Sequence, residues 1–182
     1  GLQSGGWTIS WQGTGNVNSD FPGGSSILDG FARYAKQAGG DVALYDPAEL
    51  GPTPDAVIVV MAENPYAEGQ GDIDSLAWQQ GNSRDLALIR QLRAQGVKVI
   101  TIFLTGRPMW VNSEMNASDA FVVAWLPGSE GAAVSEVLLA DPAAKALYDF
   151  EGRLPMPWPN SDLNSENHDL SVSEYAFPRG FG

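Results

Sequence analysis

An α/β fold is predicted by strand and helix patterns that alternate along these 182 residues. Apolar runs at residues 55–62 and 97–104 are typical of strands buried on both faces, and Ala120–Trp125 is a third apolar strand. Between the first two strands, a helix is predicted from a cap at Ser83 to Gly96, with inward apolar residues at helical spacing: Leu86, Ile89 and Leu92. This alternation predicts a three-layer sandwich, a mostly parallel sheet with helices on both faces, of flavodoxin/Rossmann-like type.

The amino-terminal region is predicted to be a loop followed by one helix and one short strand. Glycine, asparagine, serine and tryptophan dominate the first 24 residues. Ser25 or Ser26 is a suitable cap for a helix that stops at Gly39-Gly40. Residues 41–45 are a short strand candidate. The apolar face of the helix is predicted to carry Ile27, Leu28, Phe31 and Ala35.

The carboxyl-terminal region is predicted to hold one more helix and a short extended segment, at residues 154–158. The helix follows Pro127-Gly128-Ser129. Its predicted inward residues are Ala133, Val134, Val137 and Leu138. Four tryptophans in apolar surroundings are predicted to be buried: Trp78, Trp110, Trp125 and Trp158.

The charge and composition of the chain exclude several classes of function. A net charge of −12, with no cluster of basic residues, repels phosphate backbones and anionic lipids, so nucleic acid and membrane are not expected partners. The absence of cysteine excludes disulfides and thiolate chemistry. His168, the single histidine, has no serine context typical of a catalytic triad, and a solvated or capping role is favoured.

The predicted sheet places candidate chemistry in the loops that follow its strands, because ligands of parallel sheets bind at the carboxyl ends. The loop after residues 55–62 carries Glu63, Glu68, Asp72 and Asp74 between glycines. A carboxylic acid on such a loop can donate a proton to a leaving group. A solvated acidic loop without catalytic function is the alternative.

Two tryptophans and one arginine are candidate binding residues. Trp7 and Trp11 lie in a glycine-rich loop, where they either pack into the core or stack on the apolar face of a sugar ring. Arg107 directly follows a predicted strand and either binds a ligand or pairs with a nearby carboxylate.

No metal or cofactor is predicted. The segment 16–20 alternates oxygen ligands as a calcium loop does, but it lacks the glycine at the sixth place and the distal glutamate. The glycine pairs at 13–15 and 69–71 lack the third glycine of a dinucleotide-binding turn, and no phosphate-loop lysine motif occurs.

Five motifs give the chain a family resemblance over nearly its whole length. They are GGWTISWQG at 5–13, NPYAEGQGD at 64–72, GRP at 106–108, AWLPGSEG at 124–131 and GRLP at 152–155. In this order they resemble the carboxyl-terminal domain of glycoside hydrolase family 3, in its β-glucan exohydrolase branch. The chain is therefore interpreted as a single α/β domain over residues 1–182, a fragment of an enzyme with two or more domains.

The resemblance implies a retaining exo-β-glucosidase acting on β-glucan oligosaccharides. Its nucleophile is an aspartate on an amino-terminal (β/α)8 barrel that these residues do not include. The acid/base glutamate is carried over to Glu68, with Glu63 as the alternative. Trp11 matches the aromatic clamp beyond the cleaved bond, Trp7 supports it, and Arg107 is a further candidate for substrate binding.

The resemblance also sets expectations about the parent protein. It implies an extracellular or periplasmic location and a barrel domain as partner. Because a retaining mechanism needs two carboxylates, we expect little activity from this chain alone. The family domain usually begins with a strand upstream of the GGWTISWQG motif, and without it a sheet position is either empty or filled by another segment.

Two other functions compete with an enzyme half. A free-standing carbohydrate-binding module would use Trp7 and Trp11 without catalysis. A flavodoxin-like nucleotide or regulatory domain is disfavoured by the missing phosphate loop and the negative charge.

Overall fold

The described residues, 1–48, 52–141, 143–162 and 175–182 of a computed structural model, form two compact units. Each unit is built from three separate stretches of the chain. The first unit comprises Gly1–Tyr45, Ala62–Gly71 and Ala124–Glu151. The second comprises Asp46–Met61, Asp72–Val123 and Gly152–Gly182. His168 lies outside the described residues.

A three-stranded parallel sheet confirms the predicted α/β class. Its strands are β1, Ala56–Ala62, β2, Lys98–Leu104, and β3, Ala120–Trp125, in the order β1-β2-β3. The middle strand, β2, is buried along most of its length, as its apolar run predicts. The prediction of burial on both faces is wrong for β1, where Val60 is 45% exposed. Within the described sheet β1 is an edge strand, which explains the difference.

Two helices of 11 residues each match the predicted pattern. In α1, Ile27–Gln37, the predicted cap Ser26 is confirmed: its hydroxyl accepts a hydrogen bond from the Asp29 amide, and the Asp29 carboxylate accepts one from the Ser26 amide. Of its predicted apolar face, Ile27 and Phe31 are buried, whereas Leu28 is exposed.

The second long helix, α2, spans Arg84–Ala94 and packs on β2. Its predicted inward residues Leu86, Ile89 and Leu92 are all buried. Ser83 occupies the N-cap position as predicted, but its side chain makes no capping hydrogen bond.

Two short α-helices and two short strands complete the α-helices and strands of the described residues. The helices are α3, Asn112–Ala117, and α4, Ala133–Glu136. The strands β4, Trp158–Pro159, and β5, Tyr175–Phe177, form an antiparallel pair. In α4 the predicted burial of Val134 is confirmed, but Ala133 is exposed. Val137 and Leu138 follow α4 and are half-buried, so their predicted place on its inward face is wrong.

Aromatic side chains dominate the core of the second unit. Phe103 of β2 is fully buried, with the ring of Trp78 edge-on at 4.9 Å between centroids and that of Trp158 at 6.5 Å. Trp158, 1% exposed, confirms its predicted burial. The other three tryptophans are less buried than predicted, because only part of each is shielded from solvent: Trp78, Trp110 and Trp125.

Residues 41–45 do not form the predicted strand. They are irregular, and Leu44 is 87% exposed. A short run of hydrophobic residues after Asp41 is compatible with a strand, but a strand also needs a neighbour for its backbone hydrogen bonds. No helix within the described residues is both long and apolar enough to cross a membrane.

Candidate active site

The amino-terminal loop of residues 5–13, called here the tryptophan loop, displays two exposed indoles. Trp7 is 69% and Trp11 57% exposed, and their ring centroids lie 6.1 Å apart at an interplanar angle of 38°. Trp7 and Ile9 adopt the left-handed backbone conformation, with φ of 58° and 63°. That conformation is costly for a β-branched residue such as Ile9, so the surrounding contacts must hold the loop in place.

Hydrogen bonds inside the first unit supply those contacts. The Trp7 amide donates to the Trp11 carbonyl at 2.9 Å and closes the loop. The Asn16 side chain donates to the carbonyls of Thr8 and Gly13, at 2.9 and 3.2 Å. These bonds fix the backbone on either side of the indoles, so the exposed rings stand on a defined turn.

Glu68 lies on a second loop of the same unit, residues 65–71, called here the acid loop. It begins the 3-10 turn Glu68–Gly71 with a left-handed φ of 50°. Its side chain is exposed, and no described residue forms a salt bridge with it. The carboxylate of Glu68 is therefore accessible from solvent.

The tryptophan loop and the acid loop are in direct contact. The Gln12 side-chain oxygen accepts a hydrogen bond of 2.7 Å from the Ala67 amide, next to Glu68. A Cβ added at Gly6 would overlap the Tyr66 carbonyl oxygen, and one at Gly13 would lie 3.0 Å from the Pro65 Cβ. Gly6 therefore stands where the backbones of the two loops approach too closely for a side chain.

The segment after β3 also packs against the amino-terminal region of the first unit. A Cβ at Gly5 would lie 2.7 Å from the Leu126 Cδ1, and the Gly128 amide donates to the Gln3 carbonyl at 2.9 Å. Two of the loops predicted to carry the site, those after β1 and β3, thus flank the tryptophan loop.

The remaining predicted site residues have other surroundings. Glu63, the alternative acid, is half-buried at the end of β1 and has an interaction partner. Arg107 belongs to the second unit, is half-buried and also has a partner. Its backbone is held by Thr105, whose hydroxyl donates to the Arg107 carbonyl at 2.6 Å. Asp72 and Asp74, in the same unit, are exposed.

The segment at residues 16–20 is organised as a turn. The Asp20 carboxylate accepts a hydrogen bond of 2.8 Å from the Val17 amide, and the Asn16 amide group is occupied by the bonds to Thr8 and Gly13. Among the described residues, no group of three or more acidic, histidine or cysteine side chains is placed to hold a metal ion.

The geometry places an exposed carboxylate and an exposed aromatic surface on two loops that are in contact. The indoles of Trp7 and Trp11 can stack on an apolar sugar face, and Glu68 can donate or accept a proton. Sequence reasoning identified these residues but missed Gln12, which joins their two loops. No local pattern points to Gln12, because its hydrogen-bond partner Ala67 lies 55 positions away in sequence.

Comparison with protein families identifies one match over the whole chain. The model of the glycosyl hydrolase family 3 C-terminal domain matches residues 1–182. The fold agrees with a solved structure, the exo-1,3/1,4-beta-glucanase (ExoP) from a Pseudoalteromonas species. The TM-score is 0.90 and the identity 48%, over 100% of this chain and 23% of that one.

Curated relatives are named as β-glucosidases. The lysosomal beta glucosidase of Dictyostelium discoideum is 30% identical over 176 residues, covering 87% of this chain and 20% of the relative. The periplasmic beta-glucosidase of Salmonella typhimurium is 29% identical over 108 residues, covering 59% of this chain and 13% of the relative. This chain therefore spans a fifth or less of the length of these relatives.

Proposed function

The chain belongs to the glycosyl hydrolase family 3 C-terminal domains, and we propose that it is the second domain of a retaining exo-β-glucosidase in which Glu68 is the general acid/base. The observation that carries the proposal is the hydrogen bond from the Ala67 amide to Gln12, because it joins the exposed carboxylate of Glu68 to a loop that presents two indoles. Glu63 is the alternative acid.

The proposed substrate is a β-linked glucan oligosaccharide. The related structure with 48% identity is named an exo-1,3/1,4-beta-glucanase, and both curated relatives are named β-glucosidases. A neutral sugar suits an acidic protein with a net charge of −12. Trp11, supported by Trp7, would stack on the sugar beyond the cleaved bond, with Arg107 as a further binding residue.

The mechanism needs a second carboxylate from outside this domain. In retaining glycosidases two carboxyl groups lie about 5–5.5 Å apart: one attacks the anomeric carbon and the other protonates the leaving oxygen. We place the attacking aspartate on an amino-terminal (β/α)8 barrel of the parent protein. Glu68 would give its proton to the departing sugar and then take one from the water that cleaves the glycosyl-enzyme. By itself the 182-residue chain then releases no glucose from laminaribiose.

The proposed location of the parent protein is extracellular or periplasmic. The support is the names of the two curated relatives, one periplasmic and one lysosomal, both outside the cytoplasm.

Leaving-group dependence tests the assignment of Glu68 in the full-length protein. We expect Glu68→Gln to lower kcat/KM on phenyl β-glucoside by about 10²–10⁴-fold, since that leaving group needs a proton. On a dinitrophenyl glucoside, whose phenolate leaves without protonation, the loss should be small. The variant Glu63→Gln tests the alternative acid on the same series. Equal losses of Glu68→Gln on both substrates, or no loss on either, would exclude Glu68 as the acid.

A free-standing carbohydrate-binding module remains a second candidate because Trp7 and Trp11 are both exposed on a fixed loop. The two functions differ in what the isolated chain does. A binding module should bind cello- or laminari-oligosaccharides in a calorimetric titration, whereas half of a cleft should bind them poorly.

A further inference from the structure

We infer that Gln12 is the positioning residue of the proposed acid/base, holding the acid loop against the tryptophan loop. The inference rests on the proposed function and adds to it a residue that touches neither the sugar nor the reacting atoms. Its role is to fix the backbone that carries Glu68.

A hydrogen bond joins Gln12 directly to the acid loop. The Ala67 amide donates to the Gln12 side-chain oxygen at 2.7 Å, across 55 positions of sequence. Ala67 is 5% exposed, so without this acceptor its amide would stay buried and unpaired. A buried donor without a partner is costly, and the acid loop would move to satisfy it.

The backbone that follows Ala67 adopts an unusual conformation. Glu68 follows Ala67 directly and has a left-handed φ of 50°, which few residues other than glycine adopt readily. It begins the 3-10 turn Glu68–Gly71, whose glycines supply little stiffness of their own. The direction of the Glu68 carboxylate therefore depends on how firmly the preceding amide is held.

The backbone around Gln12 is itself held by hydrogen bonds. Gln12 lies between Trp11, whose carbonyl closes the tryptophan loop on the Trp7 amide, and Gly13, whose carbonyl accepts from Asn16. A movement at Gln12 would thus displace both the acid and the indoles. Small displacements of a catalytic group cost up to about 10²-fold in rate.

Two substitutions of Gln12 distinguish the loss of its hydrogen-bond acceptor from other effects on the tryptophan loop. Gln12→Met keeps the length of the side chain but removes the strong acceptor, and Gln12→Glu keeps an oxygen acceptor at the same length. Gln80→Met is the matched control, because Gln80 is exposed and lies in the second unit.

Amide hydrogen exchange tests the anchor without reference to activity. In Gln12→Met the Ala67 amide should exchange about tenfold faster or more, while Gln12→Glu and Gln80→Met should stay close to the wild type. Unchanged exchange at Ala67 in Gln12→Met would overturn the inference.

Kinetics of the full-length protein test the consequence for catalysis. Gln12→Met should lower kcat/KM about 10- to 100-fold on phenyl β-glucoside and much less on the dinitrophenyl glucoside, as expected for a displaced acid. In Gln12→Glu, the ratio of kcat/KM on the dinitrophenyl glucoside to kcat/KM on phenyl β-glucoside should return toward the wild-type ratio. A loss of equal size on both substrates indicates a purely structural role and would overturn the inference.

The two proposals fail separately in this design. If Glu68→Gln shows a leaving-group effect and Gln12→Met does not, the positioning role is wrong and the proposed function stands. If Glu68→Gln shows no such effect, Glu68 is not the acid, and both the proposed function and the positioning role of Gln12 toward it are wrong.

Discussion

At the scale of single residues, the contact between the tryptophan loop and the acid loop depends on Gly6, which has no side chain. Gly6 has no positive φ to explain it, yet a Cβ there would overlap the Tyr66 carbonyl oxygen. We therefore expect Gly6→Ala to lower the free energy of unfolding by about 1–3 kcal/mol, because rigid backbone must shift to admit the methyl group. Urea unfolding of the chain measures it.

Gly152→Ala is the matched control for this prediction. A Cβ at Gly152 meets nothing within 4 Å, and its φ is not positive, so we expect a change within about 0.5 kcal/mol. Equal stability of Gly6→Ala and Gly152→Ala would mean that the two loops do not approach as closely as described.

At the scale of elements, α1 and α2 form a natural pair for testing helix capping. Both have 11 residues and a serine at the N-cap, but only Ser26 accepts a capping hydrogen bond. Ser26→Ala should cost about 1 kcal/mol of unfolding free energy, since it leaves the Asp29 amide without its acceptor. Ser83→Ala should change it by less than about 0.5 kcal/mol. Thermal or urea unfolding measures both changes. A larger loss of stability in Ser83→Ala than in Ser26→Ala would contradict the assignment of the caps.

At the scale of the whole molecule, one buried acid sets part of the pH dependence of stability. Burial raises the pKa of Glu114 above its ordinary value of 4.5 and the nearby Asp85 adds to this shift, while a backbone hydrogen bond and the nearby Arg90 oppose it. The folded state therefore favours the neutral acid. The corresponding stability is fully present below pH 4.5 and is lost as pH rises through the raised pKa.

Glu114→Gln should abolish this loss, because a neutral amide carries no charge to bury. We expect the variant to gain stability relative to the wild type as pH rises from about 4 to about 8, measured by urea midpoints. Asp119, whose pKa is held low by Arg93, contributes stability that is lost as pH falls. Because Asp119 is present in the wild type and in Glu114→Gln alike, it does not affect the difference between them. The exposed Glu151 supplies the control Glu151→Gln, and an equal pH response of the two variants would refute the prediction.

The sequence predicted those parts of the fold that depend on local pattern. The strand β2 was found because its sequence is a nearly continuous apolar run, and α2 because its buried residues recur at helical spacing. The strand at residues 41–45 was wrong because pairing with a neighbour is not a property of five residues. Ser83 was correctly placed but wrongly expected to bond, since a cap depends on the rotamer that its surroundings permit.

The candidate site was only half predictable for the same reason. The motifs around Trp7, Trp11 and Glu68 mark exposed chemical groups and could be read in order along the chain. The contact of Gln12 with Ala67 joins positions far apart in sequence, and no local pattern encodes it. Only the folded backbone brings that oxygen and that amide together.

Azide rescue of the full-length protein tests most directly whether Glu68 is the acid/base. In Glu68→Ala, a dinitrophenyl glucoside should still form the glycosyl-enzyme, which then accumulates because no base activates water. Azide needs no base, so it should restore turnover and give β-glucosyl azide as product. We expect rescue of Glu68→Ala and none of Glu63→Ala. Rescue of Glu63→Ala alone, or of neither variant, would contradict it.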